Sequence, residues 1–478
     1  MPPYVCIFED KKFSNFFPIS LNQSVFELRI GFQNLRLRLH EEFVDAIPGV
    51  LCREYLSATM RLRAPDISVN EMPGGETIFL NGRLICYSGE LQALLQKIPP
   101  NGICIKGGYV MAAKLENAAA EDFAHYIQKR IGEESIEKLC EELRGYVSAK
   151  KTAEKKLKRG TILSASAEEG SFEDDHAVGQ DSLEEKLPKE LDAIINKHGM
   201  AVVEAQEARL LSFPWQIIEE NRRVMKDDFQ RLPFRGQSEE TVVYPGVHMV
   251  SEENISVGEA AVIKPGVVLD ASSGPIVISD GAVIMANSTL VGPVYVGKNS
   301  IVKPASKILE GTSIGDVCKI GGEVDGTIFA AYSNKQHDGF IGHSYVGEWV
   351  NIGAGSNNSD LKNNYSPVRM WCAGTMRTTG RQFLGLIMGD HSKTGITTSF
   401  NTGTVIGFNC NVFGSEMPDK FIPSFSWGQG SNMSVYDLKK AMQTAQIVLE
   451  RRDIKWEQSH TQLFTKIFEL SEKCGRNV

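Results

Sequence analysis

Nowhere in the chain of 478 residues does an apolar run approach the roughly 18 to 20 residues that a membrane span requires. The opening stretch, Met-Pro-Pro-Tyr-Val-Cys-Ile-Phe-Glu-Asp, lacks both a basic n-region and a long apolar h-region, so no secretory signal is expected. Cysteine is sparse and unpatterned. Nine residues run from Cys6 to Cys474 with no C-x-x-C pair, which excludes a zinc ribbon and predicts reduced thiols in a cytoplasmic protein. An excess of basic charge is also missing. A formal net charge of -8 argues against nucleic acid as a partner, because phosphate binding needs a basic footprint. What remains is ordinary globular composition, 42% hydrophobic and 23% charged, in a chain too long for one core.

The strongest positive signal is a period of six. Ile278, Ile284, Leu290, Val296, Val302, Ile308, Ile314 and Ile320 are all aliphatic, and Val257, Ile263 and Leu269 precede them in the same phase. Three extra residues near Ser273-Gly274-Pro275 separate the two runs. After a break the series resumes at Phe340, Val346 and Ile352, and again at Met388, Thr394, Phe400, Ile406 and Val412. Neither a helix nor a simple strand repeats every six residues. Short flat sides with one buried aliphatic each do, three sides to a coil, with coils stacked into a continuous column. Gly258, Gly292, Gly297, Gly315, Gly347, Gly353 and Gly407 then fall at corners.

Outside this ladder the pattern differs. Apolar runs at Tyr4–Phe8, Thr77–Leu80 and Gly102–Ile105 alternate with helical-looking stretches at Phe26–Leu39 and Glu90–Lys97, which predicts an α/β layer domain. Between 131 and 187 a basic stretch (Lys150, Lys151, Lys155, Lys156, Lys158, Arg159) gives way to an acidic one (Glu168, Glu169, Glu173, Asp174, Asp175), which reads as a solvated charged insertion. Toward the C-terminus, Ser434-Val-Tyr-Asp437 has the form of a capping box. Leu438, Met442, Ala445, Val448 and Leu449 follow at helical spacing, and Leu463, Ile467 and Leu470 continue an apolar stripe.

The ladder breaks at Ala330-Ala-Tyr-Ser-Asn-Lys-Gln-His-Asp-Gly339, because Ile320 to Phe340 is twenty residues, two more than three whole sides. A second polar excursion, Gly355-Ser-Asn-Asn-Ser-Asp-Leu-Lys-Asn-Asn-Tyr-Ser-Pro367, comes about one coil later, so the two are expected to wall one cleft. The segment from His337 through Val350-Asn-Ile-Gly-Ala-Gly355 resembles the acetyltransferase segment of the bacterial bifunctional glucosamine-1-phosphate acetyltransferase/N-acetylglucosamine-1-phosphate uridylyltransferase family, in a divergent sugar-nucleotidyltransferase-like branch. The resemblance is strong over about 255–414 and weaker before it. It implies that the coil is left-handed, against the usual right-handed crossover.

By the same resemblance His337 is the general base that takes a proton from the amine of an amino sugar, a task suited to imidazole near neutral pH. Asn351 corresponds to an amide at the sugar or acetyl group, and Ala354 to the backbone that meets the acetyl-CoA thioester. Phe340 replaces a sugar-contacting tyrosine. Asp325 replaces the sugar-phosphate lysine, leaving Lys335, Lys362 and Arg369 as candidates for the missing charge, with Asp360 in the substrate loop. His391 and Lys393 are candidates for CoA or for a coil corner, and His343 reads as a corner or cleft wall. Asn363, Asn364 and Tyr365 read first as turn formers.

The N-terminal part resembles the family's nucleotidyltransferase domain with two parts missing. The loop after the first strand, Phe8-Glu-Asp-Lys-Lys-Phe-Ser-Asn-Phe-Phe-Pro-Ile-Ser-Leu21, has no glycine to cradle phosphates. Thr77-Ile-Phe-Leu-Asn-Gly-Arg83 ends in arginine where the family's aspartate binds magnesium, so the magnesium requirement is left open and no metal ligand is assigned. Arg29, Arg83 and Lys106 are the candidates for holding a nucleotide there, and Glu9 and Asp10 read first as solvated loop acids and second as another metal site.

The expected architecture is therefore α/β plus all-β. A nucleotidyltransferase-like domain spans 1–236 with its insertion at 131–187, a left-handed parallel β-helix of hexapeptide repeats spans 237–415, and terminal α-helices span 416–478. The resemblance implies a homotrimer that uses acetyl-CoA to N-acetylate an amino-sugar phosphate such as glucosamine-1-phosphate. The alternatives are nucleotidyl transfer in the N-terminal domain and a catalytically silent nucleotide-sugar sensor or scaffold.

Overall fold

The computed structural model describes residues 2–72, 75–144, 187–205, 208–233, 236–476 and 478. The charged stretch read at 131–187 falls largely at 145–186, outside the described residues, while 133–144 are helical.

The N-terminal sheet has seven strands in the order Ala201–Glu204, Gly102–Lys106, Tyr109–Glu116, Glu76–Asn81, Tyr4–Phe8, Ile47–Leu51, Ser68–Val69. Only Tyr109–Glu116 runs antiparallel to its neighbours. Tyr4–Phe8 is buried along its whole length, which explains its unbroken apolar reading. The helix expected at Glu90–Lys97 is present. The one expected at Phe26–Leu39 is not: a hairpin, Arg29–Ile30 with Gln33–Asn34, interrupts it before a short helix at Leu35–His40. Gly31 turns the hairpin at φ +65°, and Asn34 caps the helix by accepting from the Leu37 N–H.

The ladder folds as a three-faced left-handed parallel β-helix. Its first face begins at Ile255–Val257, its second at Val262–Ile263 and its third at Val268–Asp270. Ile278, Ile284, Leu290 and the later members through Ile320 are all fully buried, each facing the axis. The register expected after the break holds at Val346, Ile352, Met388, Phe400, Ile406 and Val412 and is off by one only at Phe340. The third-face residue turned inward is Ile341, fully buried, while Phe340 points outward and is half-buried. Corners need glycine where coils touch: a Cβ on Gly353 would lie 2.2 Å from the Gly395 carbonyl oxygen.

The first face is buried on both sides. Ile328, Tyr345, Ile387 and Val405 point outward from it into a core shared with the N-terminal domain and the last helices. The junction is polar as well as apolar. The Tyr345 hydroxyl accepts from the Arg29 N–H at 3.0 Å, Asn22 donates to Asp390 at 2.8 Å, and Arg63 bonds Glu348 at 2.7 Å.

The helix Leu438–Glu450 is capped by Asp437, which accepts from the Lys440 N–H; Ser434 lies in the preceding strand, so the cap starts three residues later than expected. The last helix, Gln458–Lys473, returns along residues 133–144. There Cys140 and Cys474, 334 residues apart, are joined as a disulfide, which corrects the expectation of reduced thiols throughout. The other seven cysteines are free and buried. Among the described residues no helix is long and apolar enough to cross a membrane.

Candidate functional site

The outward positions of successive second-face strands form a polar ladder: Lys319, Asn334, Asn351 and Lys393 pair one above another. Parallel strands lie about 4.8 Å apart, so this ladder is about 14 Å long. The helix Leu438–Glu450 and its end lie across it, and between them is a cavity of about 360 Å³. Gln336 forms part of the floor, the helix side adds Val448, Arg451 and Arg452, and the corner side adds Tyr332 and Trp349. Those two rings stack 4.1 Å apart and almost parallel, which makes that wall rigid.

Asn351, expected at the sugar or acetyl group, and Lys393, a candidate for CoA or for a coil corner, therefore meet in one cavity. The Lys393 ammonium donates to the His391 carbonyl at 2.8 Å, and burial pushes its pKa down to about 8. His391 is not available to a cofactor. Its ring is 6% exposed and packed between Trp349, Phe408 and Phe464. Burial first, then the charges of Lys393 and Arg63, hold its pKa well below the usual imidazole range.

His337 and Ala354 share the corner between the second and third faces in consecutive coils. His337 is exposed, and its neighbour Gln336 lines the cavity. Ala354 is half-buried, and its carbonyl accepts from the Thr397 N–H of the next coil. Lys335 corrects an expectation. It is 1% exposed, occupies an inward slot of the column between Ile320 and Ile352, and cannot reach a sugar phosphate. Its ammonium donates to the carbonyls of Gly321 and His337, both at 2.8 Å, and burial pushes its pKa down to about 8.

Asp360, Lys362 and Arg369 belong to a different edge, the corner between the third and first faces, from which residues 359–386 leave the coil. The two polar excursions thus do not wall one cleft within a chain, because they emerge at different corners of the prism. Lys362 donates to the Pro367 carbonyl, and Arg369 opens a small hairpin, Arg369–Cys372 with Thr375–Thr378. Burial, then the charges of Lys362 and Arg369, pushes the Lys420 pKa down, so the three form one basic cluster.

On the same edge the structure assembles a group the sequence reading missed. Asp325, His343 and Asp360 occupy equivalent corner positions in successive coils. His343 Nδ1 lies 2.8 Å from Asp360 Oδ2, and Arg222 approaches Asp325 at 3.7 Å. Burial first raises the Asp325 carboxyl, against the charges of His343 and Arg222. Spacings of 18 and 17 residues, one coil each, were the available signal.

The three N-terminal candidates each have partners within the protein. Arg83 is 2% exposed; its guanidinium pairs with both carboxylate oxygens of Asp10 and donates to the Leu211 carbonyl. Arg29 is spent at the junction, donating to the Phe32 carbonyl and lying over the Tyr295 ring. Lys106 is exposed and donates to the Ala208 carbonyl. Glu9 and Asp10 are not solvated loop acids: Glu9 is 2% exposed and forms a fully buried ion pair with Arg53 at 3.0 Å. No group of three or more potential metal ligands occurs among the described residues. With Arg83 seated on Asp10, the pocket does not fit magnesium.

Comparison with known proteins agrees with this two-part architecture. Residues 5–235 match the family described as Sugar nucleotidyl transferase. The "Bifunctional protein GlmU" of Methanocaldococcus jannaschii is 30% identical over 128 residues, 27% of this chain and 30% of that protein. The "Bifunctional sugar-1-phosphate nucleotidylyltransferase/acetyltransferase" of Sulfurisphaera tokodaii is 31% identical over 117 residues, 24% of this chain and 28% of that one. The "Bifunctional protein GlmU" of Synechococcus sp. (strain CC9311) is 27% identical over 195 residues, covering 40% and 37%. The chain spans about a third of the length of these relatives. Its buried β-helix column, together with the sugar nucleotidyl transferase match over 5–235, makes this chain GlmU-like, a relative of the bifunctional sugar-nucleotidyltransferase/acetyltransferase proteins.

Proposed function

We propose that this chain is a CoA-dependent acyltransferase that acetylates the amine of an amino-sugar phosphate. The observation that carries the reading is the convergence of Asn351 and Lys393 with Gln336 on one cavity, beside the corner that bears His337. Acetyl-CoA, when bound, supplies the activated acyl group. The cavity suits such a ligand: it has cations on two sides and amides between them. His337 takes the ammonium proton so that the amine is free to attack, Asn351 orients the acceptor, and the Ala354 corner lets the thioester approach backbone.

Because Asp360 and Lys362 lie on another edge from His337, a contribution from them requires a second copy of the chain. The proposal therefore includes a homotrimer, read by the solution mass. Nucleotidyl transfer is the weaker reading, since Arg83 occupies the position a metal would need. The deciding experiment is free-CoA release from acetyl-CoA across a panel of amino-sugar 1-phosphates. Thiol release that depends on one amino-sugar phosphate supports the reading. No release with any of them, together with calorimetric binding of a nucleotide sugar, favours a silent sensor instead.

A further inference from the structure

We propose that the cavity between the second β-helix face and the helix Leu438–Glu450 is a phosphate site, held by Lys319 and Lys393 from the coil and Arg451 and Arg452 from the helix end. The inference deepens the acyl-transfer reading and rests on it only in taking the same cavity as the ligand site.

Four cations line this space and no carboxylate does. Among the described residues none of the four forms an ion pair, although acidic partners neutralise many other surface arginines and lysines of the chain. Bringing unpaired positive groups together is unfavourable by mutual repulsion, and burial adds to the cost for Lys393. An arrangement of this kind is relieved by an anion. The neutral polar groups present are amides, Asn334, Gln336 and Asn351, which can donate to phosphate and sugar oxygens.

The geometry favours phosphate over a carboxylate. Two arginines on the helix side and two lysines at the ends of a ladder about 14 Å long suit an ester with oxygens pointing several ways. A volume of about 360 Å³ is that of a small-ligand cavity. Tyr332 and Trp349 stack on each other, so they shape the wall and leave recognition to the charges.

Two ligands share this chemistry, a sugar 1-phosphate and the phosphorylated nucleotide of the acyl donor. Calorimetry on the full chain separates them, using glucose 1-phosphate and adenosine 3′,5′-bisphosphate, with glucose and adenosine as uncharged counterparts. At least one phosphate is expected to bind, more than tenfold tighter than its counterpart and more weakly as salt rises. The double variant Arg451→Gln/Arg452→Gln and the single variant Lys319→Gln, all on accessible side chains, are each expected to weaken it at least fivefold with an unchanged thermal midpoint. Binding of glucose 1-phosphate alone assigns the cavity to the acceptor, and binding of the bisphosphate alone assigns it to the donor. Equal binding of charged and uncharged ligands, or full affinity in both variants, overturns the proposal. Phosphate binding without CoA release would leave this site standing and remove the acyl-transfer reading, so the two failures are distinct.

Discussion

The ammonium of Lys335, inside the β-helix, donates to the backbone carbonyl of His337 at 2.8 Å. In the coils before and after, the same inward slot holds Ile320 and Ile352. A lysine there gives up apolar packing, and its charge is disfavoured by burial. What it provides is a fixed corner, because the same ammonium also holds the Gly321 carbonyl. Lys335 is thus a positioning residue for the imidazole-bearing turn. Lys335→Met keeps the stem but leaves two carbonyls without a donor. If the acyl-transfer reading holds, kcat is expected to fall about tenfold with KM for acetyl-CoA nearly constant, as misplacement of a catalytic group does. An unchanged kcat would show that the corner needs no tie.

His337→Ala tests the base itself. Turnover in the CoA-release assay is expected to drop by roughly 10²–10⁴-fold, the usual worth of a general base. His343→Ala is the informative companion, because His343 is already oriented by Asp360, as a base often is. Loss of turnover in His343→Ala with activity retained in His337→Ala would move the base to the other edge.

The six-residue ladder was legible because the interior of a narrow prism accepts little but aliphatic side chains, so Ile278 through Ile320 announce themselves. Register was lost once coils shortened. Ile320 to Val324 takes four residues, and Val324 to Phe329 and Ile341 to Val346 five each, so counting back six from Val346 lands on Phe340 when Ile341 is inside. Lys335 was misread for the same reason: a charged residue in an aliphatic slot looks like a surface residue when the count is broken. The paired apolar residues Ile328-Phe329, Tyr345-Val346 and Ile387-Met388 carried a further message, burial on both sides of one face, which a reading of the inward column alone misses. The cavity was half legible. Asn351 came from local resemblance and Lys393 was one of two readings of a coil corner, whereas Arg451 and Arg452 arrive from a helix whose docking no local spacing encodes.

The domain junction should make stability depend on pH. Asp390 is fully buried, and its pKa is raised to about 7, by burial first and then by the charge of Glu348. The Asn22 hydrogen bond, the Arg63 charge and the Glu348 N–H oppose that rise. The folded chain holds this proton more tightly than the unfolded chain, whose aspartate ionises near its ordinary value of about 3.9. Between those values the folded state binds more protons, so stability is expected to fall as pH rises from about 4 through 7 and to level off above. Asp390→Asn removes the effect. Its amide can still accept from the Glu348 N–H, and the unpartnered Asn22 Oδ1 can receive its N–H after rotation. The variant is expected to melt several degrees above the natural chain at pH 8, a gap that closes toward pH 4. Parallel melting curves at every pH would exclude Asp390 as the source.

Arg83 offers the sharpest test of how the N-terminal domain departs from magnesium chemistry. Its guanidinium closes on Asp10 and on the Leu211 carbonyl, with the Tyr109 ring nearby, so a fixed cation stands where a hydrated one would otherwise be bound. Burial pushes the Asp10 carboxyl up. The charge and hydrogen bonds of Arg83, with those of Asn81 and the Lys12 N–H, outweigh that and hold it below the usual range. Arg83→Met strands a carboxylate in a nearly closed pocket and is expected to cost about 3–5 kcal/mol in urea unfolding. Asp10→Asn in the same background should recover most of that loss, because the uncompensated charge is then gone. Arg83→Asp goes further and places two carboxylates side by side. That variant should melt low in EDTA and regain stability in millimolar magnesium, while the natural chain melts at one temperature in both. A magnesium-induced rise in the natural chain would show that the guanidinium does not fill the site, and would return nucleotidyl transfer to the N-terminal domain.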